Sequence, residues 1–209
     1  MFSKLQYISQ GNTAEEQFKN ILGALDAGCE WIQLRFKNCT EKELTDLGVE
    51  VKKNCTQHNA IFILNDNTEI AREIKADGVH LGLTDMKIVD ARKILGNKII
   101  GGTANILEDV LMRVEEGCDY IGLGPFRFTS TKEKLSPVLG LEGYQKIMRE
   151  LYDREITVPV YAIGGILAED VPAILETGIY GIAVSGLITN HTDKTELIKQ
   201  LNKYIYEHA

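Results

Sequence analysis

Residues 160–184 read VYAIGGILAEDVPAILETGIYGIAV, and this stretch contains one complete unit of strand, helix and strand. Two short apolar runs, Val160 to Ile163 and Gly181 to Val184, have the composition of buried strands. The segment between them has a helical pattern and ends at Thr177-Gly178, where glycine commonly follows the last helical turn. A unit of this kind is typical of a parallel sheet.

The same alternation recurs along the chain and predicts eight units. The expected strands are Leu5 to Ser9, Trp31 to Phe36, Ala60 to Leu64, Gly78 to Leu81, Lys98 to Gly101, Tyr120 to Gly122, Val160 to Ile163 and Gly181 to Val184. Eight units in 209 residues leave about 26 residues each, which fits a compact barrel. We predict an α/β protein, a (β/α)8 TIM barrel, as a single domain over residues 1–209. A doubly wound open sheet is the alternative fold.

Composition narrows the class of protein. Apolar residues make up 44% and charged residues 25%, as in globular proteins, and no apolar run reaches the length of a membrane span. The segment Met1 to Lys4 leads into a strand and not into a signal peptide, so we expect a cytoplasmic protein. A net charge of −7 argues against nucleic-acid or membrane partners. The four cysteines lack metal or redox spacing and are expected to be reduced.

Two cations lie at the end of the second predicted strand. The period of two along Gln33-Leu34-Arg35-Phe36-Lys37 sends Gln33, Arg35 and Lys37 to one face. In a barrel, functional residues lie at the carboxyl ends of strands. We therefore expect these three side chains at the mouth of the barrel; a solvated surface charge pair is the alternative.

Carboxylates follow the third and fourth strands. The third ends in Asn65-Asp66-Asn67, and Asp85 follows the fourth. Capping of the next helix is the simpler explanation for the first group. Asp66 and Asp85 on adjacent strand ends are also suited to share Mg²⁺, which takes carboxylate and phosphate oxygens.

Glycines and hydroxyl groups follow the later strands. Residues 122–132, GLGPFRFTSTK, combine glycines, hydroxyls and a lysine, and predict a phosphate-binding loop. Glu133 to Leu139 are expected to continue it as a mobile lid, with an ordinary polar surface loop as the alternative. Gly164-Gly165 and Ser185-Gly186 end the last two strands, where barrels commonly bind phosphate. Tight turns are the other explanation for these glycines.

Together, these motifs resemble the family of thiamine phosphate synthases (ThiE), which is shared with the thiazole tautomerase TenI. The resemblance runs the full length of the chain. The matching motifs are QxRxK in the second strand, Asn-Asp after the third, GVHLGxxD around the fourth, GPxxxTxTK after the sixth, Gly140-Leu141-Glu142-Gly143, AIGGI in the seventh, and the serine of the eighth.

The resemblance implies a transferase that joins an aminopyrimidine diphosphate (HMP-PP) to a thiazole phosphate (THZ-P), with Mg²⁺ as cofactor. In that family the pyrophosphate is thought to leave first, and the thiazole nitrogen then captures the pyrimidine cation. Gln33 would contact the pyrimidine, beside Thr103. The residues implied to hold pyrophosphate are Arg35, Lys37, Asn65, Thr129, Thr131 and Lys132, of which Arg35, Lys37 and Lys132 would be catalytic. Asp66 and Asp85 would bind Mg²⁺, and Gly165 and Ser185 the thiazole phosphate.

Several positions depart from the family pattern. Asn67 and Leu83 stand where the family usually has Arg and Gln, and Thr103-Ala104-Asn105 replaces a common Ser-x-His. In the tautomerase branch that histidine is thought to transfer a proton, which an amide cannot do. A tautomerase and a noncatalytic barrel that binds thiamine phosphates are the alternatives. His80 is more simply explained as a structural residue, and the sequence does not indicate the oligomeric state.

Overall fold

The computed structural model describes residues 2–128 and 137–207, which form one closed barrel of eight parallel strands. Strands that are consecutive in the chain pair with one another, and β1 also pairs with β8. The strands are β1 (Leu5–Ile8), β2 (Trp31–Leu34), β3 (Ile61–Asn65), β4 (Gly78–Leu81), β5 (Ile99–Ala104), β6 (Tyr120–Leu123), β7 (Val160–Ile163) and β8 (Gly181–Val184). This closed order confirms the predicted (β/α)8 barrel and excludes the open sheet.

Helices alternate with the strands around the barrel. They are α1 (Ala14–Asp26), α2 (Glu41–Gln57), α3 (Thr68–Glu73), α4 (Ile88–Leu95), α5 (Leu107–Glu115), α6 (Gly140–Asp153), α7 (Val171–Glu176), α8 (Gly186–Thr189) and α9 (Lys194–Glu207). Thr13 and Thr40 begin α1 and α2 by accepting backbone N–H bonds from Glu16 and Glu43 at 3.1 and 3.2 Å. Over the described ranges, no helix has the length and apolar character needed to cross a membrane.

Strand β2 is two residues shorter than predicted. It ends at Leu34 because side chains, and not a neighbouring strand, bind the backbone of the next residue. The N–H of Arg35 donates to Ser9 Oγ at 2.9 Å, and its carbonyl accepts from Gln17 Nε2 at 3.1 Å. The chain therefore leaves the sheet at Arg35. The bounds of β1 and β6 differ from the prediction by one residue at one end, and those of β3 by one residue at each end.

Strand β5 continues to Ala104, three residues past its predicted end. Glycine has low strand propensity, so the sequence around Gly101-Gly102 did not predict that the strand continues to Ala104. The two glycines provide space for larger side chains. A Cβ atom on Gly101 would lie 2.1 Å from the Tyr120 ring, and one on Gly102 would lie 2.9 Å from Arg113 Cδ.

Aromatic side chains fill the barrel at the amino ends of its strands. The Trp31 ring centroid lies 5.0 Å from that of Tyr120 and 5.3 Å from that of Tyr161. The N-terminal segment packs beneath them: the Phe2 ring lies 5.0 Å from Trp31, and the Tyr161 hydroxyl donates to the Ser3 carbonyl at 2.7 Å. This end is packed with side chains, so we expect a ligand site at the carboxyl ends of the strands.

Candidate active site

Polar residues converge at the carboxyl ends of β2 and β3. Gln33 is buried inside the barrel, and its Nε2 donates to Asn65 Oδ1 at 2.6 Å. Its other amide atom, Oε1, is buried and has no hydrogen-bond partner among the described residues. A buried acceptor without a partner is costly, so a ligand donor at this atom would stabilise the site.

The two cations that follow β2 differ in their exposure. Arg35 is partly buried and lines the large cavity at this end of the barrel, whereas Lys37 is exposed. Burial lowers the pKa of the Arg35 guanidinium, and the nearby Asp66 carboxylate opposes that shift. Arginine keeps its charge under such conditions, so the cavity has a cationic wall.

The side chains of Asp66 and Asp85 are close enough to interact. Burial, followed by the bond and the repulsion from Asp85, raises the pKa of Asp66 to about 6, although Arg35 and Lys37 act in the opposite direction. Asp85 Oδ2 accepts the Gly82 N–H at 2.6 Å. Two neighbouring carboxylates repel unless a proton or a cation lies between them.

Helix capping, the alternative explanation for Asn65-Asp66-Asn67, is the role of Asn67. Asn67 Oδ1 accepts the N–H of Ile70 at 2.9 Å and begins α3. Asp66, with a φ of 66°, stands just before this cap. In the described parts of the chain, no group of three or more His, Cys, Asp or Glu side chains is arranged to hold a metal. A cation bound at the pair would therefore need further oxygen ligands from substrate or water.

His80 connects the aromatic base of the barrel to the site. Its Nδ1 lies 3.1 Å from the Tyr120 hydroxyl, and its Nε2 lies 3.0 Å from Thr103 Oγ1. Gln6 Nε2 donates to the same Tyr120 hydroxyl at 3.2 Å. The ring is buried, and this chain of hydrogen bonds orients the Thr103 hydroxyl. The hydrogen bonds agree with the simpler explanation of His80 as a structural residue, and its role stays a prediction.

A cavity of about 680 Å³ opens at the carboxyl ends of the strands. This volume lies within the range of roughly 300 to 1,000 Å³ that is usual for ligand sites. The cavity places Arg35 together with the loops that follow β7 and β8. Its lining comprises Ile8, Gln10, Arg35, Pro125, Phe128, Ile163, Gly164, Gly165, Ile166, Leu167, Ala183, Val184, Ser185, Gly186, Leu187 and Asn190.

Backbone donors line one side of this cavity. Gly164 and Gly165 have φ angles of 96° and 69°, which only glycine adopts readily. Over the described residues, the lining N–H groups that make no hydrogen bond include those of Gly165, Ile166, Gly186 and Leu187. Such a group of unpaired backbone donors, close to Arg35, is suited to bind an anion.

Gln10 is a lining residue that the sequence analysis missed. Its Oε1 accepts a hydrogen bond from the Ser185 hydroxyl at 3.0 Å, so it orients the serine predicted at the phosphate. The sequence did contain an indication, because Gln10 is an amide residue near the carboxyl end of β1, as Asn65 is at the carboxyl end of β3. It was missed because the sequence around it, Ser9-Gln10-Gly11, resembles an ordinary turn.

The loop after β6 begins inside the described region. Asn105 Nδ2 donates to the Gly124 carbonyl, so this amide supports the start of the loop. Thr129, Thr131 and Lys132, with part of the expected lid, lie outside the described residues. The chain returns beside its departure point, since the N–H groups of Leu139 and Gly140 donate to the carbonyls of Pro125 and Phe126 at 3.0 and 3.1 Å.

Comparisons with known proteins agree on one family. The sequence profile described as thiamine monophosphate synthase matches residues 5–188. The thiamine-phosphate synthase of Flavobacterium johnsoniae is 60% identical over 99% of this chain and 98% of its own length. That of Bacteroides fragilis is 48% identical over 94% and 97%. The solved thiamine phosphate pyrophosphorylase from Pyrococcus furiosus is 32% identical, with a TM-score of 0.86, over 98% of this chain and 96% of its own.

Proposed function

The chain belongs to the thiamine monophosphate synthase family, and from this premise we propose that it joins HMP-PP to THZ-P, forming thiamine phosphate and pyrophosphate. Membership makes it an enzyme of thiamine biosynthesis and a transferase. The choice of substrates, the mechanism and the residue roles that follow are part of the proposal.

The observation that carries the proposal is the lining of the large cavity at the carboxyl ends of the strands. It has a cation, Arg35, on one side and the unpaired N–H groups of the β7 and β8 loops on another. A coupling of a diphosphate with a monophosphate needs two anion sites that are close but separate. One cavity with both kinds of anion donor satisfies this need.

The pyrimidine would lie against Gln33 and Thr103. The unpaired Gln33 Oε1 is an acceptor, and the amino group of an aminopyrimidine is a donor, so the two are complementary. Thr103 is held by His80 and presents its hydroxyl at the end of β5. Asn65, already bonded to Gln33, would fix the amide while its own amide nitrogen meets the diphosphate.

The reaction would proceed by loss of pyrophosphate and then capture. The carbon–oxygen bond to the diphosphate breaks with its electron pair leaving on oxygen, and the thiazole nitrogen lone pair then forms the new bond to the pyrimidine methylene carbon. Arg35 and Lys37, with Lys132, Thr129 and Thr131 from the loop after β6, would stabilise the negative charge on the leaving group. No protein nucleophile is required.

The acidic pair fits a divalent cation. Burial and the neighbouring Asp85 raise the pKa of Asp66 to about 6 even though Arg35 and Lys37 lower it, so a further cation at the pair would be favoured. We propose that Asp66 and Asp85 hold Mg²⁺ together with diphosphate oxygens, and that bound Mg²⁺ would neutralise charge on the departing pyrophosphate.

The test is direct assay of the purified protein with HMP-PP, THZ-P and Mg²⁺, with thiamine phosphate measured by chromatography. We expect turnover, and a loss of at least 100-fold in kcat/KM for Arg35→Ala and Lys132→Ala. Arg72→Ala is the matched control, because Arg72 is exposed on α3 and its ion pair among the described residues is with Glu69. Absence of product with the wild-type protein would refute the proposal.

The two alternatives predict different results. A tautomerase needs a group that transfers a proton at this position. Asn105 has an amide there, which cannot transfer a proton and which donates a hydrogen bond to the Gly124 carbonyl. A noncatalytic binder would take thiamine phosphate without metal and without turnover. Binding measured in EDTA, beside the turnover assay, therefore separates a binder from a synthase.

A further inference from the structure

An ion pair connects the loop after β6 to the loop after β7. Arg127 Nη1 donates to Asp170 Oδ2, and Nη2 to Oδ1, each at 2.9 Å. Asp170 also accepts the N–H of Leu167 at 2.8 Å, and its side chain is only 14% exposed. A bidentate pair of this kind holds the guanidinium in one orientation. Asp170 thus anchors the Arg127 side chain against the loop that follows β7.

From this anchored position, Arg127 binds two successive carbonyl groups. Its backbone N–H donates to the Gly164 carbonyl at 2.9 Å, and its Nη1 donates to the Gly165 carbonyl at 2.5 Å. In a planar trans peptide, the carbonyl and the following N–H point in opposite directions. Fixing these two carbonyls therefore fixes the N–H groups of Gly165 and Ile166, directed away from Arg127. Those are two of the unpaired donors that line the cavity.

The contacts around Arg127 leave little freedom for another arrangement. A Cβ atom on Gly165 would lie 2.9 Å from Arg127 Cβ, so the two backbones already pack closely. On the other side, the guanidinium carbon lies 5.2 Å from the centroid of the Phe126 ring. That ring stacks on Tyr144 at 5.8 Å. The guanidinium is therefore held by both a carboxylate and an aromatic face.

We propose that Arg127 is a positioning residue for the phosphate of the second substrate, and that Asp170 acts through it. This inference rests on the proposed function, in which THZ-P places its phosphate beside Gly165. Arg127 would act without contacting the phosphate, because Nη1 donates to Asp170 and Gly165 and Nη2 donates to Asp170, which directs the guanidinium away from the two loop N–H groups. It would keep two N–H donors oriented before the ligand arrives, so that binding does not have to order them.

The experiment uses Arg127→Met, which keeps the aliphatic bulk, and Asp170→Asn, which keeps an acceptor for Leu167. Arg72→Met is the control, since it removes an exposed arginine from an ion pair far along the chain. Calorimetry gives the Kd for THZ-P and for the corresponding thiazole alcohol. We expect both site variants to bind THZ-P about tenfold more weakly, roughly one hydrogen bond to a charged group, with the alcohol unchanged.

Steady-state kinetics give a second readout. We expect a higher KM for THZ-P in both variants, with the KM for HMP-PP within twofold of wild type. Arg127→Lys should fall between wild type and Arg127→Met, because an ammonium group replaces only one of the donors. A variant that loses thermal stability but keeps wild-type affinity for THZ-P would show that the pair only stabilises the fold, and would overturn the proposal.

Two further outcomes discriminate between explanations. If Arg127 itself contacted phosphate, Asp170→Asn would free the guanidinium and strengthen binding, which contradicts a positioning role. Inorganic phosphate, titrated by calorimetry, tests the same donors without turnover. Weaker phosphate binding by Arg127→Met supports the inference even if the wild-type protein fails the synthase assay; equal binding, or none by the wild type, overturns it.

Discussion

Replacement of Arg113 by methionine is expected to destabilise the protein far more than breaking the same ion pair from its other side. Arg113 lies on α5 with a side chain only 3% exposed. It donates to Glu116 Oε2 at 2.8 Å, and also to the carbonyls of Gly82 at 2.7 Å and Thr103 at 3.2 Å. It therefore ties α5 to the ends of β4 and β5, beside the site.

The magnitude follows from what remains after the substitution. Arg113→Met leaves a largely buried carboxylate at Glu116 and removes a donor from the two carbonyls, and loss of one partner from a buried pair costs about 3 to 5 kcal/mol. Glu116→Gln leaves Arg113 with its carbonyl acceptors, so we expect about 1 kcal/mol. For a chain of this size, the first change lowers the Tm by about 10 °C.

Urea denaturation followed by circular dichroism measures both free energies of unfolding, with equal m-values as the check on two-state behaviour. The double variant Arg113→Met/Glu116→Met should recover only part of the loss, because the carbonyls of Gly82 and Thr103 still lack their donor. Equal destabilisation by Arg113→Met and Glu116→Gln would refute the reasoning, since it would mean that the carbonyl bonds contribute nothing.

Three other predictions concern the site. The pKa of Asp66 is raised to about 6, so its contribution to the stability of the fold is present below about pH 4 and is lost as the pH rises through 6. The metal-free Tm should therefore fall over that range in thermal scans. Mg²⁺ should restore the Tm at pH 7, and Asp66→Asn should remove both effects. Thr103→Val removes one hydrogen-bond partner of His80 and should cost about 1 kcal/mol in denaturant titrations, whereas Thr103→Ser should remain close to wild type. Gly165→Ala forces a side chain into a φ of 69° and against Arg127; calorimetry should show weaker THZ-P binding, and unchanged affinity would contradict the assignment of this loop to the phosphate.

The sequence predicted the position of Gln33 and the closeness of Asp66 and Asp85 because both depend on local rules. The period of two sets the inward face, and the barrel brings the carboxyl ends of all strands to one side. These rules predict the face and the end of the barrel on which a side chain lies, but they do not predict its hydrogen-bond partners. The unpaired Oε1 of Gln33, for example, became visible only with its surroundings.

Arg113 and Arg127 could not be found in the same way. Arg113 stands among alternating apolar and charged residues of α5, and a helix of that pattern normally exposes its arginines. It is buried because Gly102, 11 positions earlier, leaves space for it. Arg127 depends on Asp170, 43 positions later in the chain. Contacts over such separations are set by the closure of the barrel, and no local pattern encodes them.

The aromatic packing at the amino ends of the strands also determines the side from which ligands enter the barrel. Trp31, Tyr120 and Tyr161 close one end of the barrel, and the cavity opens at the other end. In the proposed reaction, both substrates and both products would pass through this opening. The molecule that binds deeper has to enter first and depart last, so the order of binding follows from depth alone. An excess of the shallower partner would delay entry of the deeper one, even though the two bind at different sites.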